Sequence, residues 1–405
     1  MKPRDGRLAI SASFVILQVV PETDTLTRMN SEVVDVVVVG GGIAGTSVAA
    51  LLAENLKVAV LERETHPGLH STGRSAALFS EIYGGTTIRA LSRGSREFFY
   101  SPPPDFAAAP LVKPRGTLQI ATAGKLPRLA EFANLPDIAA AVHWLDASAV
   151  QAACPILRPG HIVAGVMETA SADMDVNGIH QGFLRQLRAR GGQLLVNSEV
   201  NALEHTGAHW KVSAGGRAFR ADVVINAAGA WADVLARRAG VREVGLQPRR
   251  RTALIVDAPK GMNIDAWPSV IDIDEQFYFK PDAGALLVSP ADETPSEPCD
   301  AWPDDMDVAV AVDRVQNATT LEVERVRRSW AGLRSFVADR TPVVGYAADV
   351  PGFFWLAGQG GYGIQTSPAM ARLAAALVQH RDVPEELVDF GLDVATLRPE
   401  RLLSL

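Results

Sequence analysis

The stretch from Val33 to Glu62, VVDVVVVGGGIAGTSVAALLAENLKVAVLE, constrains the fold more than any other part of the chain. Val33 to Val39 is a β-branched run broken only by Asp35. A run so uniformly apolar suits a strand buried on both faces, at the centre of a parallel sheet. Gly40-Gly41-Gly42-Ile43-Ala44-Gly45 follows and fits G-x-G-x-x-G. Thr46 to Leu56 is Ala-rich and predicts a helix, and Lys57 to Leu61 predicts a second strand that ends at Glu62. In such a unit Gly40 permits the tight turn, Gly42 lets the backbone approach a pyrophosphate, and Gly45 lets helix and strand pack closely. The phosphates then meet the helix N-terminus. Glu62 stands where an acid accepts hydrogen bonds from an adenosine ribose. Glycine spacing alone is weak support. Strand, glycines, helix, strand and acid in that order favour dinucleotide binding over a plain βαβ unit with a Gly-rich turn.

A chain of 405 residues is too long for one simple core, so two domains are expected. A net charge of -7 gives no footprint for nucleic acid or for an anionic membrane. Cys154 and Cys299, the 2 cysteines, form no CxxC pair and no metal-ligand cluster, and a reducing cytoplasm is the simplest compartment. A peripheral position at the inner membrane face is the alternative. Residues 1–30 read as a leader, disordered or translated from an upstream start. Lys2, Arg4 and Arg7 precede an apolar run at Phe14 to Val20, which imitates an export signal. That run is interrupted by Gln18, lacks a clean cleavage site and is far too short to span a bilayer. Met29 makes a natural start.

Beyond Glu62, Pro67-Gly68 has turn chemistry and Ser71-Thr72-Gly73-Arg74-Ser75-Ala76-Ala77 combines small and hydroxylated residues with an arginine. This segment suits contact with a phosphate or a flat ring, and equally a helix N-terminus capped by Ser71 or Thr72. Residues 83–175 show short strands, such as Gly116 to Ala121, and loops, and read as an excursion into another domain. The dinucleotide fold resumes with an amphipathic helix at Asn177 to Arg190, a strand at Gln193 to Val200, a meander at Ala202 to Arg220 and a buried strand at Asp222 to Ala228. A second excursion follows from Gly245, with strands at Thr252 to Val256, Gln276 to Lys280 and Ala285 to Val288. It has a hairpin turn at Pro281-Asp282-Ala283-Gly284 and a helix at Val308 to Val326. Phe353 to Ala357 is an apolar strand, and Ser367-Pro368 opens a helix that runs to about His380. Between them lies Gly358-Gln359-Gly360-Gly361-Tyr362-Gly363-Ile364-Gln365. So many glycines between strand and helix imply backbone close to a ligand. A second glycine cradle so far from the first favours FAD over NAD, because the ribityl chain and pyrimidine edge need their own support.

The stretches VVVVGGGIAGTSVA, VLERETHPGLHSTGRSAA, INAAGAWAD, QPRRRTALI, FYFKPDAGALLVSPA, WAGLRSFVADRTPVVGY and GFFWLAGQGGYGIQTSPAM are spread over nearly the whole chain. Together they resemble the D-amino acid oxidase-like superfamily of FAD-dependent dehydrogenases and oxidases, and within it the bacterial catabolic D-arginine dehydrogenase type. The resemblance implies a mixed α/β and α+β fold: a Rossmann-like FAD-binding domain with an interleaved antiparallel-sheet substrate domain. The FAD domain would comprise 31–82, 176–244 and 331–405, and the substrate domain 83–175 and 245–330.

The resemblance also implies roles. Gly40, Gly42, Ile43, Ala44 and Gly45 would face the phosphates, Glu62 and Arg63 would hold the adenosine end, and Val200 and Gly229 would add backbone contacts. Ser71, Thr72, Gly73, Arg74, Ser75, Ala76, Ala77 and Leu78 would line the diphosphate and isoalloxazine. Gly360, Gly361, Tyr362, Gly363, Ile364 and Gln365 would cradle the pyrimidine edge and ribityl chain. Arg251 and Arg334 would clamp a substrate α-carboxylate, Tyr83 and Tyr278 would close over it, and the Gly361 carbonyl would receive the α-amino group. Read without the resemblance, Arg334 is an arginine in a nearly uncharged, aromatic-flanked loop, Arg249 competes equally with Arg251, and Tyr278 suits sheet packing. A guanidinium fork matches a carboxylate in a way that lysine cannot.

The implied reaction is oxidative deamination of a D-amino acid by hydride transfer to the flavin, followed by imine hydrolysis to a 2-oxo acid and ammonia. Oxygen, a quinone or a dye would be the electron acceptor. The sequence departs from the D-arginine type at two places. Leu78 stands where that type has a histidine beside the flavin, and Thr117 where it has a glutamate that pairs with the substrate guanidinium. Without that carboxylate a cationic side chain is left unpaired in a closed site, at a cost of several kcal/mol. Neutral or apolar D-amino acids are therefore expected ahead of D-arginine. The alternatives are action on secondary or N-methyl amino acids or on 2-hydroxy acids, and an electron-transfer subunit of a hetero-oligomer.

Overall fold

The computed structural model describes residues 31–402, so the expected leader lies outside the described residues. Val36–Val39 sits inside a six-stranded sheet, ordered Gln193–Leu195, Val58–Leu61, Val36–Val39, Val223–Asn226, Phe353–Ala357, Val343–Tyr346. The first five run parallel, and the last pairs antiparallel with Phe353–Ala357. Side chains alternate across the central strand. Val36 and Val38 enter a core with helices Ile43–Leu52, Val176–Ala189 and Ser367–Val378. Val37 and Val39 enter a second core on the opposite face. There the meander Val200–His205, Trp210–Ala214, Arg217–Ala221 supplies Trp210, Val212 and Phe219. A strand covered on both faces can be uniformly apolar, and all four valines of Val36–Val39 are buried. Each such side chain contributes on the order of 2 kcal/mol of burial.

The second large sheet has nine strands, arranged mostly antiparallel. It runs Thr294–Pro295, Gln247–Asp257, Ala285–Ser289, Tyr278–Asp282, Ser269–Asp272, Thr117–Ala121, Ala164–Glu168, His143–Asp146, with Val326–Phe336 also paired to Gln247–Asp257. Ser269–Asp272 and Thr117–Ala121 run parallel, and their pairing joins strands from the two excursions in one sheet. One face packs Leu118, Leu254, Val270, Phe279 and Leu286 against Ala311 and Val315 of helix Asp305–Ala318. The other face carries the polar residues described below. The expected hairpin turn is present: Ala283 (φ 48°) and Gly284 (φ 75°) are both left-handed, the conformation that closes a two-residue hairpin.

Several elements differ from the sequence reading. The helix expected at 308–326 spans Asp305–Ala318, because Asp304 caps it through the Met306 N–H and Thr319 leaves the helix with an extended backbone. Val326 onward is strand. Arg334 therefore lies in that strand and not in a loop, and the boundary drawn at 331 falls within it. Helix Thr86–Tyr100 was not anticipated. Its small residues Ser92, Gly94 and Ser95 allow close approach to Ser367–Val378, and the Ala369 N–H donates to Ser95 Oγ (3.2 Å). Residues 86–100 thus pack with the six-stranded sheet although the excursion was expected to begin at 83. The C-terminal helix takes Thr366 at its cap position, with Ser367 and Pro368 in its first turn. Among the described residues no helix is long and apolar enough to cross a membrane.

Candidate active site

Two lobes of a trough follow the glycine loop. Gly40 has φ 112°, and a Cβ there would lie 2.3 Å from the Ala227 carbonyl oxygen. A Cβ on Gly45 would lie 2.0 Å from the Gly40 carbonyl oxygen, which enforces glycine where helix meets strand. The loop is fixed from three sides. The Gly41 N–H donates to Glu62 Oε2 (2.8 Å), the Ile43 N–H donates to Thr72 Oγ1 (3.0 Å), and His180 Nε2 stands 2.9 Å from the Gly41 carbonyl. Burial holds the His180 pKa below the usual imidazole range, so the neutral ring donates from Nε2.

The first lobe is lined by Gly40, Gly42, Glu62, Arg63, Val200, Gly229 and Trp231. The Arg63 guanidinium lies 5.0 Å from the Trp231 ring centroid, and His70 lies 4.9 Å from the same indole. This is a flat aromatic wall beside an acid, suited to a base and its ribose. The second lobe shares Gly42, Ser71, Thr72, Ala227 and Gly229 with the first. It continues along Ile43, Ala44, Arg74, Ser75 and Ala76 to Gly358–Gly361, Gly363 and Ile364. Two buried polar atoms on the lobe walls have no hydrogen-bond partner among the described residues: His70 Nδ1 in the first and Gln359 Nε2 in the second. Buried donors and acceptors are rarely left unpaired. An elongated trough at a helix N-terminus, with unpartnered polar atoms at both ends, fits FAD.

Beyond Gly361 a chamber opens under the nine-stranded sheet, lined by Leu78, Tyr83, Thr117, Gln119, Arg251, Tyr278, Lys280 and Arg334 among others. Strand alternation explains the set: Phe279 turns into the apolar core while Tyr278 and Lys280 turn into the chamber. Arg334 is opposite Arg249, and Arg251 is opposite Gly332, in the paired strands. Arg334 is half-buried, and the surface it keeps faces the chamber. Its Nη1 donates to the Tyr83 hydroxyl (3.3 Å), and it has no carboxylate partner among the described residues. Burial pulls its pKa down, but the phenolic oxygens of Tyr83 and Tyr278 outweigh that and hold it above the ordinary arginine value. Arg251 is occupied: its Nε donates to the Asp292 carbonyl (2.8 Å) and its Nη2 to Glu293 (3.3 Å). Arg249 donates to the Glu293 carbonyl and is absent from the chamber lining, which Arg251 joins. Thr117 Oγ1 is 2.7 Å from Ser171 Oγ, and the one acid among the described residues of the chamber lining is Glu275, at an exposed position. Glu168, paired opposite Thr117, lies behind the wall. Burial pushes its carboxyl pKa up to about 7, although it accepts hydrogen bonds from the Ser80 hydroxyl and the Glu81 N–H.

Most residues named from sequence meet along this trough and chamber, but some do not line the cofactor lobes. Ala77 and Leu78 line the chamber. Gly73 donates its N–H to Gly68 and shapes the turn that carries Thr72. Tyr362 packs edge-on against Tyr83 with ring centroids 5.0 Å apart. Gln365 is buried, bonded to the Ser80 N–H and the Ser92 hydroxyl. Residues 68–74 form turns, so Ser71 and Thr72 open no helix of their own, and Thr72 instead accepts from the first N–H of helix Ile43–Leu52. Sequence reading missed Trp231, His70, His180, Gln359 and Lys280. Gln359 sat within the glycine run, and His180 lay on the apolar face of its helix; the others gave no local signal.

The family model described as FAD dependent oxidoreductase matches residues 35–377. The hydrogen cyanide synthase subunit HcnC of Pseudomonas aeruginosa is 26% identical over 268 residues, covering 64% of this chain and 61% of that protein, less than two thirds of its length. Glycine oxidase of Geobacillus kaustophilus is 23% identical over 381 residues, covering 88% of this chain and 96% of that one. Among solved structures, glycine oxidase from Geobacillus kaustophilus superposes with a TM-score of 0.77 at 22% identity, over 91% of this chain and 98% of that chain. L-proline dehydrogenase from P. horikoshii superposes with a TM-score of 0.77 at 20% identity, over 92% and 99%. At these identities the structural likenesses establish the fold. The family match spans most of the chain, and the chain belongs to the FAD dependent oxidoreductase family.

Proposed function

We propose that this protein catalyses oxidative deamination of D-amino acids, with neutral side chains accepted ahead of D-arginine. The observation that carries the reading is Arg334, a guanidinium with no acidic partner among the described residues, which lines the chamber next to Gly361. Such a group is a ready acceptor for a carboxylate. When bound, FAD supplies the hydride acceptor for the substrate α-carbon, and the imine released then hydrolyses to a 2-oxo acid and ammonia. The chain's own part is orientation. Arg334 fixes the carboxylate, Tyr83 and Tyr278 shield it from water, and the Gly361 carbonyl holds the α-amino group, which reacts as the free amine. Thr117 gives a cationic side chain no buried counter-charge, and the one acid of the lining, Glu275, is exposed, which separates this chain from the D-arginine dehydrogenase type that it resembles. Steady-state kinetics on a D-amino acid panel test the preference. A higher kcat/KM for D-arginine than for D-leucine, D-methionine and D-phenylalanine would overturn it.

The partial likeness to a hydrogen cyanide synthase subunit supports one second reading, an electron-transferring subunit that is inactive alone. Size exclusion combined with anaerobic flavin bleaching separates the two, because a free-standing enzyme bleaches without a partner.

A further inference from the structure

The chamber lining is rich in cations and poor in acids. Three cations line it, Arg251, Lys280 and Arg334, and Glu275 is the one acid in the lining, at an exposed position. Behind the lining two carboxylates are each shared between two cations. Glu293 takes Arg251 (3.3 Å) and Arg340 (2.7 Å). Asp173 takes Lys280 Nζ at one oxygen (2.8 Å) and Arg115 at the other (2.6 Å). Lys280 is only 8% exposed, so its ammonium is withdrawn from water and from screening by salt.

Position gives the surplus a direction. Lys280 follows Tyr278 by two residues on the same strand face, about 7 Å further along the chamber wall. A substrate anchored by its α-carboxylate at Arg334 and Tyr278 would have this wall open to its side chain, with the uncharged Thr117 and Gln119 two strands away.

We propose that Lys280 reads a second anionic group on the substrate, so that amino acids with a side-chain carboxylate are taken ahead of their neutral isosteres. This rests on the amino acid deamination reading and extends its order of preference, from neutral over cationic to acidic over neutral. Lys280 acts as a specificity-determining residue, set by Asp173 and Arg115.

The test uses the FAD-loaded protein with aspartate against asparagine and glutamate against glutamine, both enantiomers, in anaerobic flavin bleaching and steady-state turnover. The expected result is that for at least one pair the acid exceeds its amide by tenfold or more in kcat/KM. Lys280→Met is expected to lower that acid-to-amide ratio at least tenfold, and Lys280→Arg to restore most of it. Amides equal to or better than acids, while other amino acids still bleach the flavin, would overturn this inference and leave the deamination reading standing. A ratio unchanged in Lys280→Met would likewise overturn it. Bleaching by no amino acid at all would overturn the deamination reading and this inference together.

Discussion

Replacing Arg334 by methionine separates function from stability in a way that follows from its surroundings. Most buried arginines lose an ion pair on truncation and leave a stranded carboxylate. Among the described residues Arg334 bonds the Tyr83 hydroxyl at 3.3 Å and no carboxylate, so its removal strands no charge in the unliganded protein. In the complex the loss is large, because the substrate carboxylate would be buried without its fork. Arg251 offers no free fork, since its Nε and Nη2 already bond Asp292 and Glu293. Truncating one side of a buried charged pair costs about 2–5 kcal/mol. The middle of that range, about 3–4 kcal/mol, is roughly 150- to 900-fold in kcat/KM. Arg334→Lys keeps the charge and loses the fork, so its loss is expected to be intermediate. Stopped-flow flavin reduction by the best D-amino acid gives kcat/KM, and thermal unfolding of the FAD-loaded protein gives Tm. The expected result is the stated loss with Tm unchanged or raised. A loss within threefold, or a Tm that falls in step with activity, would refute the reasoning.

Three further outcomes follow from other parts of the structure. Gly45→Ala places a methyl 2.0 Å from the Gly40 carbonyl oxygen, so overpacking of about 1–3 kcal/mol and loss of FAD are expected together; a variant with full flavin content and unchanged Tm would contradict this. In Gly361→Ala the new Cβ meets the Arg334 guanidinium at 2.7 Å, so kcat/KM is expected to fall at least tenfold while Tm stays within a few degrees, as checked by paired kinetics and melting. Glu168 has its pKa raised from 4.5 to about 7, so the folded state keeps a proton that the unfolded state releases. Its contribution is fully present below about pH 4.5 and declines as pH rises to about 7, by roughly 3 kcal/mol. Glu168→Gln should therefore gain stability relative to the parent between pH 5 and pH 8 in urea unfolding, and a difference independent of pH would argue against it.

The two sheets differ in how far the sequence reveals them, and the reason is physical. Val36–Val39 and Phe353–Ala357 are covered on both faces, which leaves continuous apolar runs that flanking glycines delimit. Strands of the nine-stranded sheet have one apolar face and one polar face toward the chamber, and the polar face is crowded with arginine. Val326–Phe336 consequently read as helix end and loop, although its pairing with Gln247–Asp257 is what sets Arg334 in the chamber. The cofactor trough was legible because glycines must stand where backbone approaches backbone or ligand. The charge balance of the chamber was not. Lys280 meets Asp173 across 107 residues of sequence, and no local pattern announces such a pair. Helix Thr86–Tyr100 was less legible: its buried face holds Ile88, Leu91 and Phe99 at helical spacing, but Ser92, Gly94 and Ser95 interrupt that stripe where it meets Ser367–Val378.

Anaerobic titration of the FAD-loaded protein with D- and L-amino acids tests the central claim most directly, because reduction of the flavin needs substrate, chamber and cofactor together and no electron acceptor. The account predicts bleaching of the flavin absorbance by D-amino acids, faster than by their L-enantiomers and abolished or strongly slowed in Arg334→Met. A flavin that stays oxidised with every amino acid, or that bleaches equally in Arg334→Met, would contradict it.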